Sequence, residues 1–197
     1  MSEKDTDQGK RQFLVAATTV AGGVAAGAAA VPFVASMMPS ERAKAAGAPV
    51  EVDVGALAPG ERITVEWRGK PVWVVRRTKE MLDTIRGNDA NVADPESKKP
   101  MQPAYAANAT RAIKDEYLVV VGICTHLGCS PVDKFAKQAE AFDPNWQGGF
   151  YCPCHGSLFD LAGRVYKNRP APDNLVVPPH KYLSDTRILI GEDSKGA

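Results

Sequence analysis

The sequence has almost no net charge, few histidines and few cysteines. Its 197 residues include 24 Lys and Arg against 23 Asp and Glu, so the formal net charge at pH 7 is +1. There is no basic tract and no interleaving of basic and aromatic residues, so we expect no nucleic-acid partner. Because 44% of the residues are hydrophobic, an ordinary packed core can form without cross-links. The four cysteines and three histidines are therefore best examined as parts of a site.

These rare residues are concentrated in two short segments. Box 1 is CTHLGC, residues 124–129, and box 2 is CPCHGS, residues 152–157. Together they contain all four cysteines and two of the three histidines. Each box offers one Cys and one His at metal-ligand spacing, the pairs being Cys124 with His126 and Cys152 with His155. The remaining cysteines, Cys129 and Cys154, could be joined as a disulfide.

Three kinds of site fit four cysteines and two histidines. Two structural disulfides are common in exported proteins, but they leave the histidines without a role. A Cys2His2 zinc site usually has its two cysteines close together and its two histidines close together. The mixed boxes favour a [2Fe–2S] cluster with one iron on two cysteines and the other on two histidines. Such clusters have potentials in a range of roughly −150 to +300 mV.

Both boxes resemble, throughout their length, those of the Rieske iron–sulfur subunit of the ubiquinol–cytochrome c reductase (cytochrome bc1) complex, proteobacterial type. The resemblance implies two iron-binding pairs and a disulfide beside the cluster, namely Cys124 with Cys152 on one iron, His126 with His155 on the other, and Cys129 with Cys154 as the disulfide. It also implies that Ser157 donates a hydrogen bond to a cluster sulfur, which stabilises the reduced state and raises the potential.

Two positions depart from the family pattern. The family often has a Tyr where this chain has Phe159, with the Tyr hydroxyl bonded to a cysteine sulfur. Phe cannot donate, so we expect a lower potential than in members that have Tyr. The segment Arg169-Pro170-Ala171-Pro172 resembles the proline-rich loop that covers the cluster, in which Gly often replaces Arg169; an ordinary rigid loop is the alternative.

The N-terminus predicts export and anchoring. Residues 1–12 form a predicted cytoplasmic tail, and Lys10-Arg11-Gln12-Phe13-Leu14 resembles a twin-arginine export signal with Lys in the first basic position. Residues 13–38 form the predicted transmembrane anchor, since the uncharged run 13–34 is long enough to span a bilayer. Positive residues before the run favour a cytoplasmic N-terminus, a single pass through the bacterial inner membrane and a periplasmic cluster domain. A cleaved secretory signal is the alternative.

The remainder predicts a mainly β protein: one transmembrane helix, a flexible hinge linker over residues 39–49, and an antiparallel β-sandwich-like Rieske head over residues 50–197. A cluster-binding subdomain is expected at about residues 122–172. Strands are predicted at 50–54, 62–67 and 71–76 as one antiparallel meander, and also at 117–123, 174–178 and 187–191. A helix is predicted over 79–86 with Thr78 as its N-cap. Residues 88–110 are predicted to be a loop region that could contain a helical turn. The connection 130–147 is expected to pack locally, and His180 is expected at the surface.

The resemblance implies one-electron transfer coupled to proton uptake from ubiquinol. His155 is the expected quinol-facing ligand, with His126 also exposed, and Leu127 and Gly128 shape an apolar docking tip. The implied partners are cytochrome b and cytochrome c1 in a dimeric membrane complex. With no haem motif or quinone pocket of its own, the chain is expected to be a catalytic subunit of the reductase rather than a complete enzyme.

Three other functions compete with this interpretation. A soluble Rieske carrier for an oxygenase usually lacks the second cysteine pair and the anchor. The Rieske electron-transfer subunit of another exported oxidase, such as arsenite oxidase, can carry a similar leader. A secreted binding module held by zinc or disulfides would contain no iron. The match from Tyr117 to Pro178 and the linker favour the quinol complex.

Overall fold

The chain divides into two units, an N-terminal unit that ends at Ala45 and a head that begins at Ala46. The computed structural model describes residues 7–194. Helix α1 (Gln8–Ser36) begins where the Asp7 carboxylate accepts hydrogen bonds from the backbone N–H groups of Gly9 and Lys10. Among the described residues, one helix, starting at Gln8, is long and apolar enough to cross a membrane. The helix thus includes residues 8–12, which were predicted to be tail, because Asp7 caps it there.

The predicted linker is partly helical. Helix α2 (Glu41–Ala46) lies inside the segment 39–49 and contains an ion pair between Lys44 and Glu41 at 2.7 Å. Alanine is the strongest helix former, and it occupies three of the six α2 positions. The role of the segment as a hinge stays a prediction.

Up to residue 194, where its described part ends, the head is built from three antiparallel sheets of three strands each. In sheet order, the first contains β1 (Val50–Asp53), β9 (Arg187–Ile190) and β8 (His180–Tyr182); the second contains β2 (Arg62–Trp67), β3 (Lys70–Arg76) and β4 (Tyr117–Val121); the third contains β5 (Val132–Lys134), β6 (Gly149–Cys152) and β7 (Ser157–Asp160). The first two sheets share one apolar core, to which both contribute buried side chains such as Val52, Val72 and Ile188. This confirms the predicted mainly β head.

The prediction of one N-terminal meander was wrong for its first strand. β2, β3 and β4 do pair in chain order. β1 instead pairs with β9, from Val50 opposite Ile190 to Asp53 opposite Arg187. The alternation in β1 identifies a strand with one buried face, but it contains no information about which other strand it joins.

The predicted strand 174–178 was also wrong. The backbone there makes single bonds to different neighbours, since Val121 N–H donates to the Val176 carbonyl and Val177 N–H donates to that of Met101. Pro178 and Pro179 have no N–H, so the segment could not continue a ladder. It lies beside β4, to which it is joined by the bond from Val121, without forming a paired strand.

Helix α3 (Lys79–Gly87) confirms the predicted helix. Thr78 caps it by accepting a hydrogen bond from Met81 N–H at 3.3 Å, and Met81 and Ile85 are buried. A 3-10 turn over Ala104–Ala106 interrupts the loop that follows. The connection between the boxes packs locally as expected, with the Phe142 ring 5.3 Å from that of the buried Trp146.

Candidate functional site

Box 1 is a tight loop at the end of β4. The Cys124 N–H donates to the Cys129 carbonyl at 2.8 Å and the Gly128 N–H donates to the Cys124 carbonyl at 3.1 Å. Gly128 has a φ of +86°, a backbone conformation that glycine adopts without strain. The loop therefore closes on itself and holds its first and last cysteines in fixed positions.

Box 2 is the turn of the hairpin formed by β6 and β7. Cys152 and Ser157 are register partners at its base, and the Gly156 N–H donates to the Cys152 carbonyl at 3.0 Å. Gly156 has a φ of +76°. Cys154 and His155 lie at the exposed tip of the turn, whereas Cys152 and Ser157 are buried behind it. The hairpin thus separates two inner side chains from two outer ones.

Cys124 and Cys152 are free thiols, each 2% exposed, that lie as hydrogen-bonding neighbours. Burial raises the pKa of the Cys152 thiol, while the backbone N–H groups of Cys154 and His155 act in the opposite direction. N–H groups directed at a sulfur stabilise its thiolate, which is the form that binds a metal. The site therefore offers two inner sulfur ligands, one from each box.

The rings of His126 and His155 meet edge to face, with centroids 4.7 Å apart and an interplanar angle of 89°. His155 is exposed and His126 is half-buried. Nδ1 of His126 is buried and has no hydrogen-bond partner among the described residues. A buried ring nitrogen without a partner is costly unless it binds a ligand, and a neutral imidazole nitrogen is a good iron ligand. Two histidines beside two thiols fit the mixed ligand set of a [2Fe–2S] cluster.

The other two cysteines form a disulfide, Cys129–Cys154, that links the boxes directly. The sulfurs of Cys129, Cys152 and Cys154 lie within 4.8 Å of one another. Because two of them share the disulfide, they offer no thiolates, and this trio is not a ligand set of its own.

A second connection between the boxes runs through the proline loop, residues 169–172. From box 2, the Ser157 hydroxyl oxygen accepts a hydrogen bond from the Ala171 N–H at 3.1 Å. From box 1, the Thr125 hydroxyl donates at 2.6 Å to the carbonyl of Asp173, the residue directly after the loop. The loop is thus attached to both boxes.

Two residues that support this loop were missed by the sequence analysis. Thr125 lies inside box 1, so its position was a usable signal. Lys99 lies in the aperiodic segment 88–110, yet its ammonium donates to the Pro172 carbonyl at 2.8 Å and pairs with Asp173 at 2.5 Å. No local pattern marks a lysine that meets its partners more than 70 residues later.

Buried arginines organise the turn that follows box 2. Arg164 pairs with Asp160 through Nε at 2.8 Å, and the two side chains are 0% and 3% exposed. Arg77 donates to the Leu161 carbonyl, and Arg111 donates to those of residues 162 and 163. Burial lowers the pKa of both Arg77 and Arg111 to about 10, so both stay charged at neutral pH. The sequence analysis did not predict three buried arginines, because arginine is rarely buried.

The tip beside the histidines is apolar and open. Leu127 is 72% exposed, and Gly128 next to it is exposed as well. His180, in contrast, is 2% exposed, so its predicted surface position was wrong. Its burial is supported by two contacts. The backbone N–H of His180 donates to the Tyr105 hydroxyl at 2.8 Å, and the ring Nδ1 lies 2.9 Å from the Pro178 carbonyl oxygen.

Two family descriptions match the chain. "Rieske [2Fe-2S] domain" matches residues 49–180, and "Ubiquitinol-cytochrome C reductase Fe-S subunit TAT signal" matches residues 1–40. Together with the long apolar helix, the export signal supports an exported, membrane-anchored head.

Curated relatives extend the match to the whole chain. The ubiquinol-cytochrome c reductase iron-sulfur subunit of Allochromatium vinosum is 58% identical over 197 residues, covering 100% of this chain and 95% of that protein. The subunit of the same name from Bradyrhizobium diazoefficiens is 43% identical over 92% of this chain and 94% of its own length. That of Rhodospirillum rubrum is 42% identical over 94% of this chain and 93% of its own length. The chain belongs to the family of ubiquinol–cytochrome c reductase iron–sulfur subunits, electron-transfer proteins with a Rieske [2Fe–2S] domain.

Proposed function

We propose that the chain is the catalytic iron–sulfur subunit that takes one electron from ubiquinol, bound at cytochrome b, and passes it to cytochrome c1. The observation that supports this most directly is the edge-to-face contact between the rings of His126 and His155, which belong to the same two boxes as the buried free thiols. Relatives that match over 92% and 100% of the chain are named for the same reductase.

In this proposal Cys124 and Cys152 hold one iron, and His126 and His155 hold the other. Their burial supports this division, because the free thiols lie inside the head and the imidazoles lie toward solvent. When bound, the cluster supplies a one-electron acceptor with a potential in a range of roughly −150 to +300 mV.

His155 is the proposed contact for the quinol. Its ring is exposed, whereas that of His126 is half-buried, so a ring nitrogen of His155 is the more accessible acceptor for a quinol hydroxyl. A histidine ligand retains a second ring nitrogen, which can accept the hydrogen bond and then the proton. Leu127 extends from the same tip and would enter an apolar surface on cytochrome b.

The proposed location follows from the N-terminal unit. Helix α1 stays attached as a single-pass anchor in the bacterial inner membrane, with the tail in the cytoplasm and the head in the periplasm. Lys10 and Arg11 near the start of the helix support that orientation. A disulfide in the head is consistent with an oxidising compartment. The segment 39–49 would let the head move between cytochrome b and cytochrome c1 in a dimeric complex.

Complementation of a deletion strain tests the proposal. Membranes without this chain should lose quinol–cytochrome c reductase activity, and the wild-type chain should restore it. Leu127→Asp should keep the [2Fe–2S] EPR signal but lower the reductase activity at least tenfold. A matched control is Leu183→Asp, because Leu183 is also exposed but lies outside the boxes. Unchanged reductase activity in the deletion strain would contradict the proposal and favour another exported oxidase.

A further inference from the structure

We infer that the backbone N–H of Ala171 is a positioning group for the Ser157 hydroxyl and thereby sets part of the cluster's reduction potential. This inference rests on the proposed hydrogen bond from Ser157 to a cluster sulfur. It assigns to the proline loop an electronic role in addition to covering the site.

The Ser157 hydroxyl is buried and only half satisfied. Its side chain is 0% exposed, and its oxygen accepts from Ala171 N–H at 3.1 Å. Among the residues that the structure describes, the hydroxyl hydrogen of Ser157 meets no protein acceptor. A buried donor without an acceptor costs about 1–3 kcal/mol, so this hydrogen needs a partner from the site itself. Ser157 pairs in register with the thiol residue Cys152, which places it at the edge of the sulfur ligands.

Within residues 170–172 of the proline loop there is one backbone donor, and it bonds to the Ser157 hydroxyl oxygen. Pro170 and Pro172 have no backbone N–H, so within residues 170–172 only Ala171 can donate. The ring of Pro172 also restricts the residue before it to extended conformations. Ala171 is 4% exposed, so water does not compete readily for its N–H.

The loop is held in place without help from Ser157. Thr125 donates to the Asp173 carbonyl at 2.6 Å, and Lys99 donates to the Pro172 carbonyl at 2.8 Å. These two bonds therefore set the position of the Ala171 N–H, and the Ser157 hydroxyl can rotate to accept from it.

A hydroxyl that accepts one hydrogen bond becomes a better donor of another. Chains of hydrogen bonds polarise one another, by perhaps 10–30% per bond. The N–H fills one lone-pair direction of the Ser157 oxygen and leaves the hydrogen to point elsewhere. Since hydrogen bonds to a cluster sulfur stabilise the reduced state, loss of the Ala171 donor should lower the midpoint potential.

The test is a double-mutant cycle on the full-length, cluster-containing chain, with the midpoint potential as the readout. Ser157→Ala should lower the midpoint, and Ala171→Pro, which removes the N–H, should lower it by a smaller amount. The double variant should match Ser157→Ala alone, because the N–H acts only through the hydroxyl. Ala171→Gly keeps the N–H and should leave the midpoint unchanged.

If the midpoint shifts of the two single variants add up in the double variant, the positioning role of Ala171 is overturned, but the bond from Ser157 to sulfur is not. An equal drop in midpoint for Ala171→Gly and Ala171→Pro would have the same meaning. An unchanged midpoint in Ser157→Ala would overturn the positioning role together with the bond from Ser157 to sulfur. A second measurement does not depend on Ala171→Pro folding. Hydrogen exchange at Ala171, resolved to single residues, should be faster in Ser157→Ala than in the wild type, and equal exchange would contradict the inference.

Discussion

The indole of Trp73 fills the space beside the α-carbon of Gly122, where a Cβ would lie 2.1 Å from the indole Cε2. Trp73 is buried in β3, and its ring stacks on that of Phe150 in β6 with centroids 5.2 Å apart. Gly122 directly follows β4 and lies two residues before Cys124, the first residue of box 1. The Trp73 side chain therefore links the second sheet, to which it belongs, with Gly122 just before box 1 and with the third sheet, which carries box 2.

Gly122→Ala adds only one methyl group, but it should destabilise the head and the cluster site. The added methyl cannot fit unless the indole or box 1 moves, and overpacking of this kind costs typically about 1–3 kcal/mol. We expect a lower unfolding temperature and a lower iron content per chain. Gly87→Ala is a control for the loss of glycine itself, because a Cβ there meets nothing within 4 Å and the residue has no positive φ. Equal iron content in Gly122→Ala and wild type would contradict the tight contact.

Phe159→Tyr should raise the midpoint potential. Phe159 is 0% exposed and belongs to the same apolar cluster as Cys124 and Cys152. A hydroxyl added there needs a buried partner, and a cysteine sulfur at the site can accept its hydrogen bond. Phe135→Tyr is a control, since Phe135 packs at the edge of the same cluster but is only partly buried. An unchanged or lower midpoint in Phe159→Tyr would contradict this placement of residue 159.

Asp160→Asn should destabilise the head strongly. The Asp160 carboxylate pairs with Arg164 and also accepts from the backbone N–H groups of Ala162 and Arg164, both at 2.9 Å. Removing the charge leaves the buried Arg164 with Asp89, which is 2.7 Å away but 56% exposed, as its remaining counter-ion. The loss should therefore approach the cost of breaking a buried pair, which is about 3–5 kcal/mol. The free energy of unfolding from denaturant titration measures this loss.

The control for Asp160→Asn is Asp83→Asn. Asp83 pairs with Arg86 at 3.0 Å, but the two side chains are 57% and 62% exposed. An exposed pair contributes about 0–1 kcal/mol. A similar loss in the free energy of unfolding for both variants would show that the buried pair contributes no more stability than the exposed one.

His180→Gln should make the head less sensitive to acid. Burial lowers the pKa of His180 below its ordinary value of 6.5, with Asp193 and the Pro178 carbonyl acting in the opposite direction. The unfolded chain then binds a proton at a higher pH than the folded chain does. Stability is therefore full above about pH 6.5 and is lost as the pH falls below it.

Thermal unfolding of the wild type and His180→Gln between pH 7.5 and pH 5 measures that difference. Gln can still donate to the Pro178 carbonyl, so the two proteins should be similar at pH 7.5 and diverge below about pH 6.5. Parallel pH curves would show that His180 contributes nothing to the acid sensitivity.

The sequence was most informative where chemistry and chain position coincide. The boxes are local, so the contact of His126 with His155 and the disulfide could be anticipated from two short segments. Thr78 and the helix it caps were predictable for the same reason, since every contact lies within one turn.

It was least informative where partners are distant in the chain. β1 joins β9 across more than 130 residues, and its own pattern fits any neighbour. His180 is buried through a bond to Tyr105, 75 residues earlier, whereas its own neighbours, Pro179 and Lys181, do not indicate a buried position. The donor at Ala171 and the ammonium of Lys99 become part of the site only when the chain brings segments 88–110 and 169–173 to the boxes.

The most direct test of the account is a redox titration of the purified protein, followed by EPR at several pH values. We expect a [2Fe–2S] signal with a positive midpoint that falls as the pH rises, because reduction takes up a proton at a histidine ligand. Elemental analysis of the same sample should find iron and sulfide without zinc. A negative midpoint that does not change near neutral pH, or a protein that contains zinc or no metal, would contradict the account.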